Sequence, residues 1–181
     1  MNRVGLIFLL VVGAIVYFFM TDYGARLTDK YWAKFVQRPA ILLELDSVAA
    51  DTHRSWFERT YAAGDFICER KRLKLGDIDC HGEISEFNGV IARRIQFYFK
   101  DDFLYNIQLT LKGRDHALLI DYLERKYGQP RMIEGRRDVY GSPIVVWDIR
   151  SGIVSTSREA KKDTESVMQW YSVKAVWEGA F

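Results

Sequence analysis

One uncharged run limits the possible folds of this chain more than any other stretch. Residues 4–20 contain no charged side chain, although Arg3 and Asp22 flank them closely. As a helix with a rise of about 1.5 Å per residue, the run would measure about 26 Å, against a bilayer hydrocarbon core of about 30 Å. The run therefore predicts a single transmembrane helix that tethers the rest of the chain to a membrane.

A cleaved signal peptide is the alternative to a retained helix. The end of the run carries Tyr17, Phe18 and Phe19, which resemble an interfacial aromatic belt. The apolar region is longer than a usual signal core, and cleavage after the small residues at 12–14 would leave an apolar new N-terminus. We therefore expect the helix to remain attached as an anchor.

The charges beside the run bear on its orientation. Arg3 precedes it, whereas Arg26, Lys30, Lys34 and Arg38 follow it. Counting positive charges favours a cytoplasmic domain, but this rule loses weight when a long domain follows the span. The two cysteines described below favour an exported domain, so both orientations stay open at this point.

Composition narrows the class of domain and of partner. Lys and Arg total 26 against 24 Asp and Glu, a formal charge of +2 that favours no polyanionic partner and disfavours nucleic acid. Aromatic residues make up 14% of the chain, with only three prolines, which is typical of a packed, sheet-rich domain. We expect a transmembrane anchor and amphipathic neck helix at 1–37, a linker at 38–46 and one α+β domain at 47–181.

An aromatic stripe follows the uncharged run at helical spacing. The spacing predicts that the helix continues beyond the membrane as an amphipathic neck and ends before Pro39. One face could contact another membrane protein, or it could lie on lipid headgroups or pack on its own domain. The first interpretation predicts an integral-membrane protein partner bound through Tyr23, Leu27, Tyr31, Trp32 and Phe35.

Helix and strand signals recur through the domain. Asp46 could cap a first helix that runs to about Ala63, ends at Gly64 and holds His53 on its buried side. A second helix is predicted at 116–127, with His116 exposed in its first turn. Later strands are predicted at 132–139, 144–149, 153–157 and 167–176. We expect an antiparallel sheet with both helices packed on one face.

Residues 95–111 show the strictest alternation of apolar and polar side chains and predict a β-hairpin with one buried face. The odd-numbered residues are apolar in both strands. If both rows share one face, odd residues must pair with odd ones, as in Phe99 with Phe103 and Phe97 with Tyr105. The hairpin loop would then contain the three residues 100–102.

The two cysteines of the chain, Cys68 and Cys80, lie in one local segment that resembles two short strands joined by a loop. Because such pairs persist as disulfides only in oxidising compartments, we predict a disulfide and an exported domain, with free buried thiols as the alternative. A metal site of Cys68, Cys80 and His81 matches no zinc spacing. No metal or cofactor is predicted.

Several motifs together resemble a known group. They are the cysteine pair, the sequence Phe87-x-Gly89, the pattern F-x-F-x-D-D-x-L-x-x-I that begins at Phe97, and the helix end K-Y-G-x-P at 126–130. This combination, over about 47–147, resembles a loose group of small envelope proteins of Gram-negative bacteria. The resemblance implies an exported α+β domain, hence an inner-membrane protein with a periplasmic domain, and it implies no activity. Members of the group usually carry a cleaved signal, so a retained anchor departs from them.

Three functions are compatible with these features. The first is a non-enzymatic accessory protein that docks on a larger inner-membrane complex, because paired carboxylates, a nucleophile elbow and a phosphate loop are all missing from the sequence. The second is an enzyme using the polar segment Asp77, Asp79, His81 and Glu83, for which a solvated loop is the plainer interpretation. The third is a module that binds a lipid headgroup or a small ligand through the basic run Arg70, Lys71, Arg72 and Lys74. The sequence favours the first, with no catalytic residue predicted.

Overall fold

The computed structural model describes residues 3–49, 51–61 and 66–181. The chain divides into two compact units, Met1–Arg38 and Pro39–Phe181. The first unit contains the helices α1 (Arg3–Met20) and α2 (Asp22–Phe35). The second contains the sheets and three further helices.

The chain breaks between the two N-terminal helices at Thr21, where the helical segments bend by 78°. The Thr21 hydroxyl donates to the Phe18 carbonyl (3.0 Å) and accepts from the Gly24 amide (3.2 Å), so it caps the start of α2. A Cβ at Gly24 would lie 1.7 Å from the Phe18 carbonyl oxygen, and only glycine permits this approach. The predicted continuous neck helix is therefore wrong at this point.

The apolar side chains of α1 are exposed along its length, from Leu6 to Met20. Among the described residues, no single helix is long and apolar enough to cross a membrane. The segments Gly5–Phe18 and Asp22–Ala33 meet the length and composition requirements only as a bent pair. The predicted transmembrane span thus remains a prediction.

An antiparallel sheet of eight strands forms most of the second unit, as the sequence predicted for an α+β domain. Its strands are β2 (Ile67–Leu73), β3 (Gly76–Glu83), β6 (Arg94–Lys100), β7 (Phe103–Lys112), β8 (Arg131–Arg137), β9 (Pro143–Ile149), β10 (Gly152–Ser157) and β11 (Glu165–Ser172). They lie in the order β2-β3-β6-β7-β11-β10-β9-β8. Two four-stranded meanders thus meet where β7 pairs with β11.

A small sheet accompanies the main one. It consists of β1 (Ala40–Ile41), β4 (Glu86–Phe87) and β5 (Val90–Ile91), with β1 parallel to β4. The segment predicted as a linker contributes Ile41, Leu43 and Leu45 to the buried core.

One face of the main sheet is apolar and covered by helices. The helices are α3 (Arg54–Thr60) and α4 (His116–Tyr127), and their residues Phe57, Leu119 and Leu123 pack into the same core cluster as the sheet. Burying one such side chain is worth about 1.5–3 kcal/mol. The sheet residues of this cluster are Ile78, Cys80, Ile95, Phe97, Phe99, Leu104, Ile107, Leu109, Leu111, Val145, Trp147, Val154, Met168 and Trp170.

Among the described elements of the second unit, a short helix, α5 (Val173–Trp177), covers one end of the opposite face. Ala175 of α5 packs there against Tyr105 and Tyr171. The Ser172 side chain accepts a hydrogen bond from the Ala175 amide (3.2 Å) and caps the helix. The strand predicted to continue to residue 176 is therefore wrong beyond Ser172.

The hairpin of β6 and β7 differs from its prediction at the turn. Asp101 and Asp102 both have positive φ, 54° and 64°, and form a two-residue turn in which Lys100 pairs with Phe103. Aspartate tolerates this left-handed conformation, and two such residues match the twist of a tight hairpin. The predicted three-residue loop and the pairing of Phe99 with Phe103 are wrong.

A β-bulge restores the predicted parity further along the hairpin. The register shifts between Tyr98 and Phe99, after which odd residues pair with odd ones, as in Phe97 with Ile107. The inserted residue sends Tyr105 to the face that α5 covers, so its predicted pairing with Phe97 is wrong.

Of the two helices predicted in the domain, one differs from its prediction and one agrees with it. The helix predicted from Asp46 to Ala63 is replaced by a 3-10 turn at Leu45–Ser47 and by α3, while residues 62–65 lie outside the described part. His53 caps α3, because its Nδ1 accepts from the Ser55 amide (3.1 Å). The helix α4 has the predicted bounds, with Gly128 at φ 81° after it.

Candidate functional site

The cysteines form the predicted disulfide. Cys68 on β2 and Cys80 on β3 are register partners with Cα atoms 4.0 Å apart. Cys80 is fully buried, whereas Cys68 is exposed on the edge strand. The bridge therefore fixes the edge of the sheet to the core, and it leaves no free thiol among the described residues.

The basic run lies on and just after the edge strand. Arg70 and Lys71 are consecutive residues of β2, at the start of a stretch where the register with β3 shifts. Lys71 forms an ion pair with Glu69, which raises the pKa of Lys71 and lowers the pKa of Glu69. Lys74 lies in the turn after β2, and the side chain of Arg72 is outside the described residues. The predicted headgroup site thus stays a prediction.

The polar segment beside Cys80 is a strand and not a solvated loop. Asp77, Asp79, His81 and Glu83 alternate along β3 and share the face opposite the core. Asp79 is 5% exposed, and its Oδ1 lies 3.5 Å from His81 Nδ1. Burial raises the pKa of Tyr98, and the nearby Asp79 carboxylate raises it further. This phenol therefore keeps its proton at neutral pH. No group of three potential metal ligands occurs among the described residues.

Three glutamines form a connected row at the centre of this face. Gln96, Gln108 and Gln169 are register partners on β6, β7 and β11. Gln108 Nε2 donates to Gln96 Oε1 (3.2 Å), and Gln169 Nε2 donates to Gln108 Oε1 (3.2 Å). The Tyr171 hydroxyl donates to Gln169 Oε1. We call the three glutamines the glutamine ladder, and these bonds hold their amides in defined orientations.

A shallow cavity of about 210 Å³ surrounds part of the ladder, lined by Glu83, Arg93, Arg94, Gln96, Gln108, Thr110, Glu165 and Val167. Two ion pairs lie near the borders of this face of the sheet. Arg93 donates to Glu165 (3.1 Å) on one side, and Arg131 donates to Asp148 (2.6 Å) near the far edge. We call this surface, with the ladder at its centre, the polar face. The glutamine ladder is itself uncharged, and the centres of protein–protein interfaces are depleted of charged residues.

Most of the predicted partner-binding residues come together in the first unit. Leu27, Tyr31, Trp32 and Phe35 line an apolar groove of about 560 Å³ in the angle between α1 and α2, with Phe18 and Thr28. The Trp32 and Phe35 rings stack with centroids 5.8 Å apart. Tyr23, the fifth predicted residue, is exposed and does not line the groove.

His116 is buried, so its predicted exposure is wrong. It is 4% exposed, and its Nδ1 lies 2.7 Å from Ser166 Oγ. Burial lowers the pKa of His116, although backbone groups of Arg158 and Ser157 act in the opposite direction. The burial results from the close approach of the α4 start to the loop before β11, where the Gly113 amide donates to the Thr164 carbonyl (2.7 Å). No local sequence signal predicts this contact.

No protein-family model, curated protein or solved structure matches the chain.

Proposed function

We propose that this protein is a membrane-anchored accessory protein of the bacterial inner membrane. Its periplasmic domain binds a larger integral-membrane protein complex and performs no reaction of its own. The observation that carries the proposal is the polar face: no helix of the second unit, among the described residues, covers the glutamine ladder, whose side chains are already held in place.

Two features support the anchored, exported arrangement. The apolar side chains of α1 are exposed, in a run without charge that a bilayer would cover. The bridge between Cys68 and Cys80 suits an oxidising compartment such as the periplasm. The resemblance to small envelope proteins agrees with both.

The polar face suits a protein partner better than a substrate. Its amides are already oriented by the ladder, so less side-chain entropy is lost when a partner binds. Asp79 and His81 lack an adjacent activated nucleophile, because the neighbouring Cys80 is bridged and Tyr98 holds its proton. Binding without chemistry is the function that this arrangement supports best.

The test is purification of the tagged full chain from its native membrane in mild detergent, with quantification of co-purifying chains. We expect one integral-membrane protein in stoichiometric amount. Gln108→Arg, which places a cation at the centre of the ladder, should reduce its recovery at least tenfold, because an unpaired charge would be buried in the interface. The matched control is Gln129→Arg, at an exposed glutamine beyond α4, and it should retain the partner.

A monomeric wild-type chain would overturn the proposal. Loss of the partner from Trp32→Ala/Phe35→Ala, with full recovery from Gln108→Arg, would leave the accessory function but move its docking surface to α2.

A further inference from the structure

We infer that α2 lies flat in the headgroup layer of the membrane that α1 crosses, with the apolar groove facing the hydrocarbon and with anionic phospholipid as its partner. This inference rests on the proposed function in one respect, which is the insertion of α1. It assigns the aromatic residues of α2 to lipid and leaves the polar face to the protein complex.

The lengths and the bend determine where α2 can lie. With 18 residues, α1 measures about 27 Å, so it takes up nearly the whole hydrocarbon core of about 30 Å. A bend of 78° then directs α2 almost parallel to the membrane plane. The charged residues Asp22, Asp29 and Lys30 exclude α2 from the hydrocarbon itself. If α1 is inserted, α2 therefore lies in the headgroup layer.

The rotation of α2 about its own axis is also determined. The Gly24 backbone approaches the Phe18 carbonyl so closely that a Cβ would lie 1.7 Å from it, which fixes the side of α2 that faces α1. On that side Leu27, Tyr31 and Phe35 line the groove. If α1 spans the bilayer, the inside of the angle points towards the hydrocarbon. An interfacial helix requires its apolar side to face in this direction.

The charge of the segment indicates the class of lipid. Residues 22–38 contain the basic residues Arg26, Lys30, Lys34 and Arg38 but only Asp22 and Asp29 as acids. Helical spacing places Arg26 on the side of α2 away from Gly24. An excess of basic residues at this depth favours phosphatidylglycerol over a zwitterionic lipid.

Depth-dependent quenching of Trp32 tests the inference. The full chain is reconstituted in phosphatidylcholine–phosphatidylglycerol vesicles that carry bromine either near the headgroup end or near the methyl end of the acyl chains. The fluorescence of the Trp32→Phe variant is subtracted from that of the wild type. The difference is the emission of Trp32, without that of the four tryptophans of the domain. We expect bromine near the headgroups to quench Trp32 severalfold more than bromine near the chain ends or aqueous acrylamide. Without phosphatidylglycerol, quenching by the bromine near the headgroups should be weaker.

Trp177 is the control. It is 86% exposed in the domain, its fluorescence is isolated in the same way, and it should respond to acrylamide alone.

Three results would overturn the inference. Strong acrylamide quenching of Trp32 in a chain that resists alkaline carbonate would place α2 outside the membrane, and the accessory function would survive. Stronger quenching by deep bromine would make α2 the second half of a broken span. Release of the whole chain by carbonate would refute the inserted α1, and with it both the inference and the anchored function.

Discussion

The two faces of the eight-stranded sheet are built from alternate residues of the same strands, yet they serve different ends. On one face Phe97 and its neighbours are buried under α3 and α4. On the other, Gln96 and Gln108 remain partly exposed and bond to each other. One face therefore stabilises the domain, whereas we expect the partly exposed glutamines of the other to tolerate substitution and to be available for recognition. Substitutions at adjacent positions should therefore separate stability from binding.

The largest effect is expected from Phe97→Ala. Phe97 is fully buried, and its ring centroid lies 4.7 Å from that of Phe57 on α3. Removing the ring should cost about 3–5 kcal/mol of unfolding free energy, from lost burial and the cavity left behind. Urea unfolding of the full chain in detergent measures this change. The adjacent variant Gln96→Ala should change it by less than about 0.5 kcal/mol, and equal effects would refute the division between the faces.

The disulfide gives the next largest effect. It closes a segment with a sequence separation of 12, for which the loss of unfolded-chain entropy is worth about 3 kcal/mol. Reductant should lower the urea midpoint of the wild type by a corresponding amount and leave Cys68→Ser/Cys80→Ser unchanged. If reductant leaves the urea midpoint of the wild type unchanged, the disulfide contributes nothing to the stability of the covered face.

Local signals in the sequence were sufficient for some elements and not for others. The helix α4 has its predicted bounds, with Gly128 as the stop signal at its end, although the Asp115 side chain makes no capping hydrogen bond at its start. The strand expected at Val173 is a helix, since the Ser172 cap outweighs the strand preference of a β-branched residue. The break at Thr21 arises from a close backbone contact of Gly24, which no pattern of apolar residues encodes.

The candidate site was less predictable than the fold. The alternation of the hairpin places Gln96 and Gln108 on one face, but Gln169 joins them across a sequence separation of 61 through the pairing of β11 with β7. Such a non-local pairing has no signal in the sequence. The disulfide was predictable because Cys68 and Cys80 are local and have no competing partner in the chain.

Acid should destabilise the domain through His116. Burial holds the folded-state pKa of His116 below its ordinary value of 6.5, and the nearby Asp138 carboxylate opposes this without cancelling it. The unfolded chain therefore takes up the proton first. The stability contributed by the neutral ring is complete above pH 6.5 and is lost as the pH falls through the folded-state pKa. In the variant His116→Gln, the urea midpoint should no longer fall with pH through protonation of this ring. If the midpoints of the variant and the wild type fall equally with pH, His116 is not the group responsible.

The smallest effect on stability is expected at the ladder. Gln108→Ala should leave the unfolding free energy within about 0.5 kcal/mol of the wild type, because the side chain is partly exposed. It should nevertheless weaken partner binding about fivefold, through loss of about 1 kcal/mol of hydrogen bonding. Titration of the purified complex measures the second quantity. A large fall in stability with unaltered binding would reverse the roles of the two faces.

Photo-cross-linking in cells can show whether the polar face contacts an integral-membrane protein. A photoreactive amino acid replaces Gln108 at the centre of the polar face or, in a matched strain, Gln129 beyond α4. We expect one defined adduct between the Gln108 position and an integral-membrane protein, with no such adduct from Gln129. No adduct from the Gln108 position, or equal adducts from both, would show that the open face of the sheet is not where this protein meets its partner.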